Sequence, residues 1–255
     1  MYRICLLLSL LFAASTAAAQ PRTIAHRGHW RAAGSAQNTL ASLAKADSIG
    51  CYGSEFDVWL TADNRLVVNH DRVDASSGLD MERSHSRAIR RIRTANGEPI
   101  PTLDAYLRLA ARCPSTHLVL EIKTLSTPER EREAVRRVVR KLRRYGLLER
   151  TDVISFSQVI CREARALLPA NKVFYLTGDL EPERIAELGL TGIDYHSQLL
   201  IEHPDWIRRA HDLGLEVNVW TVNDDAQLRH FIDAGVDYIT TDCPDRLLEL
   251  LAGRR

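Results

Sequence analysis

The chain has 255 residues, 45% of them hydrophobic and 26% charged, and its 34 Lys and Arg against 33 Asp and Glu leave a net charge of +1. This composition suits one globular domain with its own core. It excludes a disordered chain, a nucleic-acid binder's global positive excess, and, with no repeat or second long apolar run, a coiled coil or multi-span membrane protein.

Residues 1–19 read as a secretory leader. Arg3 and the amino terminus form a positive start, residues 4–14 an apolar run too short for a membrane span, and Ala17, Ala18 and Ala19 a small-residue cleavage site. Gln20 is then the expected start of an exported, periplasmic or secreted domain spanning 20–255, with no stable membrane span once the leader is removed. Outside the leader stand Cys51, Cys113, Cys161 and Cys243. An even count in an oxidising compartment permits disulfides, and Cys51 and Cys113 each fall near the end of a predicted helix. The low density and the lack of a CxxC favour buried free thiols.

Short β-rich runs then alternate with helical periodicity. Strands are expected over 23–26 and 54–60, with a helix over 38–49 between them; a hairpin at Asp63 and Asn64 returns through 66–70. Residues 72–101 read as an elaborated loop, followed by a helix from about 103 to before Pro114. Further strands fall at 118–122, 152–156, 172–176, 191–195, 216–222 and 238–241. Helices fall at 128–145, 158–168, from Pro182, 204–213, 224–234 and 245–251, several opened by Pro or closed by Gly. About eight strand–helix units predict an α/β (β/α)8 TIM barrel with a small hairpin and loop insertion in its second unit. A doubly wound open sheet is the alternative, and neither GxGxxG nor GxxxxGK[ST] is present to favour it.

Such barrels place their chemistry at the C-terminal ends of the strands. There the sequence puts His26 and Arg27, then Glu55 and Asp57 two apart on one strand face, then His70, then Glu121 and Lys123, again two apart. Three carboxylates in one mouth repel each other unless a cation lies among them, and hard oxygen donors select Mg2+ or Ca2+ over zinc. Arg27 and Lys123 beside such an ion form a receptor for phosphate, and two histidines supply acid and base near neutral pH. The set matches metal-assisted phosphodiester cleavage. A plainer reading makes Arg27 and Lys123 counter-ions for the acids alone.

At these residues the chain resembles the glycerophosphodiester phosphodiesterase family. The matching stretches include Ala25-His26-Arg27-Gly28, Asn38-Thr39-Leu40, 53–58, 66–71, Glu121-Ile122-Lys123, 219–223 and 235–244. The resemblance implies a TIM barrel that hydrolyses glycerophosphodiesters, small-molecule substrates, to sn-glycerol 3-phosphate and an alcohol. It implies Glu55, Asp57 and Glu121 as ligands of one divalent metal, Arg27 and Lys123 as phosphate holders, and Trp220 as an aromatic wall for the glycerol moiety. His26 would be the base and His70 the acid, with the substrate's own 2-hydroxyl attacking phosphorus to give a cyclic phosphate that water opens. The family usually carries Glu before the Asn-Thr pair. Here Gln37 keeps length and hydrogen bonding without charge, so the balance around Arg27 or the metal differs. The loop 71–93 matches weakly and is expected to overhang the mouth and tune selectivity.

Two rivals stand beside this reading: a phospholipase of C or D type acting on intact lipid, and a non-catalytic binder of glycerophosphate headgroups. The Arg-rich segment 129–144 reads as the solvated face of an outer helix, since Val135, Val138, Val139 and Leu142 form an inward stripe and Glu129, Glu131 and Glu133 dilute the charge.

Overall fold

A computed structural model describes residues 20–253; the expected leader, with Cys5, lies outside the described residues. Eight parallel strands close on themselves: β1 (Arg22–Ala25), β2 (Gly53–Leu60), β4 (His117–Ile122), β5 (Thr151–Ser155), β6 (Val173–Tyr175), β7 (Gly192–His196), β8 (Glu216–Trp220) and β9 (Tyr238–Thr241), the last pairing back onto β1. This is a TIM barrel. The extra strand β3 (Leu66–Val68) runs antiparallel to β2 outside the ring, with Val58 opposite Val68.

Helices follow the strands: α1 (Leu40–Ser48), the short α2 (Ser86–Ile89), α3 (Leu103–Ala110), α4 (Pro128–Tyr145), α5 (Gln158–Leu167), α6 (Pro182–Glu187), α7 (Ser197–Glu202), α8 (Asp205–Asp212), α9 (Asp225–Ala234) and α10 (Pro244–Ala252). The longest, α4, shows why they form. Thr127 caps its first turn by accepting from the Arg130 N–H, Pro128 opens it, and Gly146 closes it at φ +66°. Ala134, Val135, Val138, Val139 and Leu142 are buried, forming the inward stripe that packs on the barrel. Several of its arginines are paired within or beside it, among them Arg130 with Glu82, Arg136 with Glu133 and Glu163, and Arg137 with Glu133.

Where expectation and structure differ, the cause is local. The strands at 26, 69–70 and 221–222 end earlier than the β-rich runs suggest, because the chain leaves the sheet there to build the mouth. The helix α7 has only Ser197 and Leu200 buried, too few for a helical period to show in sequence. The loop 72–101 is pinned at two places. Buried Glu82 accepts from the Ser126 N–H, Ser126 Oγ and Arg130 Nε, and Glu98 accepts from the N–H groups of Leu40 and Ala41 at the start of α1. Cys51, Cys113 and Cys161 are buried free thiols; Cys243 is free and half-buried.

Gly192 sits where β7 passes closest to β8. A Cβ there would run into the Glu216 carbonyl oxygen, which is rigid ladder backbone. Gly192→Ala is therefore expected to cost about 1–3 kcal/mol by overpacking. Thermal unfolding followed by circular dichroism should show a drop of several degrees, and an unchanged midpoint would refute this account.

Candidate active site

The C-terminal ends of the strands surround a cavity of about 90 Å³ that opens to solvent. One side is polar, lined by His26, Arg27, Glu55, His70 and Glu121. The facing side carries Ile154, Phe156, Leu176 and Trp220, with Asp194, Thr221 and Thr240 among them.

The register of β2 on β4 puts Asp57 beside Glu121, and one oxygen from each of Glu55, Asp57 and Glu121 lies within 4.8 Å of the others. All three residues are buried. Lys123 Nζ lies 2.7 Å from both Asp57 Oδ1 and Glu121 Oε1. Burial pushes the Glu55 carboxyl well above its usual range and Glu121 up to about 8, with the charge of Asp57 adding to both. Asp57 goes the other way, to about 2: burial opposes its charge, but Lys123, His70 and the Asn38 amide outweigh that. Lys123 is raised because the two acids overcome its own desolvation.

Three acids and one lysine leave an excess of negative charge in a low-dielectric pocket, which two of the carboxyls relieve by favouring protonation. Glu55 Oε1, Asp57 Oδ1 and Glu121 Oε1 are also buried without a well-directed hydrogen-bond donor. Buried, under-satisfied carboxylate oxygens within reach of one point fit a divalent cation, which would let all three ionise. The triad could hold a metal.

The surrounding residues are held by contacts far apart in sequence. Asn38 grips Asp57 at both ends: its Nδ2 donates to Oδ2 at 2.7 Å and its Oδ1 accepts from the Asp57 N–H at 3.0 Å. Arg27 donates its backbone N–H to Glu55 Oε2 at 2.7 Å. Both Arg27 and Asn38 lie in the left-handed region, at φ +55° and +59°, a cost that non-glycine residues carry mostly at functional sites. Gln37 Oε1 accepts from Arg27 at 2.8 Å, so the missing carboxylate bears on the guanidinium and not on the triad. Arg27 Nε is buried with no acceptor of its own.

His26 Nδ1 lies 2.7 Å from Asp242 Oδ1. Asp242 also accepts from Trp30 Nε1 at 2.9 Å and from Asn223 Nδ2 at 2.9 Å. Its pKa falls to about 2; burial resists ionisation, and the bonds from His26 and Trp30 prevail. A carboxylate that stays ionised can only accept, so His26 Nδ1 donates to it. His70 Nδ1 lies 2.7 Å from Asp71 Oδ1, and burial lowers the His70 pKa despite the nearby Asp57 charge. Trp220 Nε1 donates to the Asp194 carbonyl at 2.8 Å, and its ring meets Phe156 edge-on with centroids 5.7 Å apart.

Most of the residues singled out from sequence thus converge. Asp57 and Lys123 stand behind the wall and not on it, with Lys123 committed to the acids. None of the residues 71–101 is among those lining the cavity; the loop borders a neighbouring cleft formed with Trp30, Arg31 and Gln37. Asn38, Asn223 and Asp242 were not singled out as site residues. All three do fall inside motif stretches, but Asn38 and Asp242 meet partners 19 and 216 residues away, and Asn223 one 19 residues away.

Comparison with known proteins agrees with this geometry. The sequence model of the glycerophosphoryl diester phosphodiesterase family matches residues 26–246. The chain belongs to this family. A glycerophosphodiester phosphodiesterase of Caldanaerobacter subterraneus subsp. tengcongensis is 28% identical over 240 residues, covering 89% of this chain and 96% of that protein. The crystal structure of a glycerophosphodiester phosphodiesterase from Parabacteroides distasonis superposes with a TM-score of 0.90 at 45% identity, covering 92% of this chain and 98% of that one. An Oleispira antarctica phosphodiesterase, solved in complex with its product sn-glycerol-3-phosphate, shares the fold at a TM-score of 0.80 and 22% identity, over 91% and 97% of the two chains. The family and these named relatives make the chain a phosphoric diester hydrolase.

Two measurements check the electrostatics. Mg2+ or Ca2+ at about a hundred times its dissociation constant should stabilise the wild type by about 2.7 kcal/mol. Calorimetric melting should show that rise, and Glu121→Ala should abolish it; an equal rise in both would place the ion elsewhere. Asp242, with its folded pKa lowered, contributes stability that is complete above about pH 4 and is lost as the pH falls through about 2. The urea midpoint of the wild type should exceed that of Asp242→Asn at pH 5 and converge with it towards pH 2.5.

Proposed function

We propose that this cavity hydrolyses soluble glycerophosphodiesters to sn-glycerol 3-phosphate and an alcohol, with one Mg2+ or Ca2+ held by Glu55, Asp57 and Glu121. The observation that carries this is the meeting of three under-satisfied carboxylates, an acceptor-less arginine Nε and two histidines at one cavity. The product bound to the Oleispira antarctica relative and the names of the other relatives support it. The leader read at residues 1–19 assigns the reaction to an extracytoplasmic compartment.

The roles follow from charge. A divalent ion held by Glu55, Asp57 and Glu121 would supply positive charge for the phosphoryl oxygens and so make phosphorus more electrophilic. Arg27 holds a non-bridging oxygen through its free Nε, and Lys123 keeps the acids in place while adding positive charge behind them. His26, with Nδ1–H tied to Asp242, presents Nε2 as a proton acceptor and receives the proton of the substrate's 2-hydroxyl. That oxygen bonds to phosphorus while the ester bond to the alcohol breaks. His70 gives its proton to the departing oxygen; water then opens the cyclic phosphate with the two histidines reversed. Asp242 stabilises the His26 imidazolium as it forms.

Leaving-group chemistry separates the histidines. With glycerophosphocholine, His26→Ala and His70→Ala should each lose about 10²–10⁴-fold in kcat. With the p-nitrophenyl ester of glycerol phosphate, whose alcohol needs no proton, His70→Ala should recover most of the rate and His26→Ala should not. Recovery in His26→Ala instead would exchange the roles. Turnover that survives chelation, or that occurs only on intact micellar lipid, would overturn the proposal.

A further inference from the structure

Asp194 is a carboxyl in the wrong kind of wall. It projects from β7 into the cavity beside Ile154, Leu176 and Trp220, opposite the triad, and only 1% of it is exposed. Its Oδ1 is buried without a hydrogen-bond partner among the described residues. The amide of Asn218, its register neighbour on β8, is shared between Thr240, which it bonds through both ends, and the Asp194 carboxyl, and it leaves Oδ1 unmatched. Asp152, deeper in the same barrel interior, has His117 Nε2 at 3.0 Å; among the described ion pairs Asp194 has none.

A buried polar atom without a partner costs about 1–3 kcal/mol, and more when charged. The Ile154, Leu176 and Trp220 side of the pocket would accept an aliphatic residue, so packing against it does not call for a carboxyl. The group's position is nevertheless fixed: Trp220 Nε1 ties down the Asp194 carbonyl, locking the strand end and the aromatic wall together. An acceptor held rigidly and left unmatched on a cavity wall fits a ligand donor.

We propose that Asp194 is a specificity-determining residue that hydrogen-bonds the terminal hydroxyl of the substrate's glycerol moiety. This rests on the reading of the cavity as a glycerophosphodiester site. Phosphate held against Arg27 and the triad leaves the three-carbon polyol to lie across the cavity, where Asp194 is the one carboxyl of the far side and Thr221 and Thr240 are its hydroxyls. Burial, opposed only by the Asn218 amide, pushes the Asp194 carboxyl up to about 7, so the group can be neutral and can both give and accept a hydrogen bond to a hydroxyl. A cationic headgroup would instead be matched by a permanently ionised carboxylate.

The test compares two phosphocholine diesters, one of glycerol and one of propane-1,2-diol. The second keeps the hydroxyl next to the ester-bearing carbon and lacks the terminal one. The wild type should favour the glycerol ester in kcat/KM by about 10- to 100-fold, the effect of one buried hydrogen bond to a carboxyl group. Asp194→Ala should lose that preference, falling on the glycerol ester while staying within about threefold on the propanediol ester, and Asp194→Asn should retain part of it. Equal kcat/KM for the two esters in the wild type, or an undiminished preference in Asp194→Ala, would overturn the proposal. The wild-type comparison decides even if the alanine variant does not fold. Hydrolysis of neither ester would instead end the glycerophosphodiester reading, and this inference with it.

Discussion

The mouth of this barrel is organised by like charges held close together. Glu55, Asp57 and Glu121 share a buried volume in which one lysine offsets one carboxylate and the other two resist ionisation. Parallel pairing creates this problem: the register of β2 on β4 sets Asp57 against Glu121, and alternation along β2 turns Glu55 the same way. A fold that stops at this point carries an electrostatic debt, and a doubly charged ion is the simplest group that cancels it.

Around the triad lies a ring of residues that fix orientation. Asn38 clamps Asp57, Arg27 donates its main-chain N–H to Glu55, and Asp242 aligns His26 while being held by Trp30 and Asn223. The positive φ at Arg27 and Asn38 shows that the backbone is bent to bring these groups in. Gly28 belongs to the same bend: at φ +75° it packs so closely on Ser42 that a Cβ would not fit. The insertion after β3 supports this corner at a distance, since Glu98 satisfies the first N–H groups of α1, the helix that begins just beyond Asn38.

The cavity is asymmetric. Its polar half comes from β1, β2, β4 and the segment after β3, and its apolar half from β5 to β8. The first half thus suits a charged phosphate and the second a carbon skeleton. Asp194 and Thr221 add polar groups to the apolar half, and Thr240 of β9 lies at its border with the polar one. Gln37 touches only the rim: it leaves the Arg27 charge unneutralised by its neighbour, which favours an anionic ligand there.

The residue types and their spacing determined much of this protein. Short β-rich runs alternating with capped helices specify a (β/α)8 barrel, because each strand must bury both faces and each helix one. Pairs two apart on a strand place Glu55 with Asp57 and Glu121 with Lys123 on common faces, since that alternation is a local property of the backbone. Tertiary structure alone decided what depends on closure of the ring. It brought Asp242 from the last strand's end to His26 at the first, turned Lys123 towards the acids and off the cavity wall, kept residues 71–101 off the cavity lining, and left Asp194 Oδ1 without a hydrogen-bond partner among the described residues. These are contacts between segments far apart along the chain, and no local pattern encodes the distance between two ends until the barrel has shut.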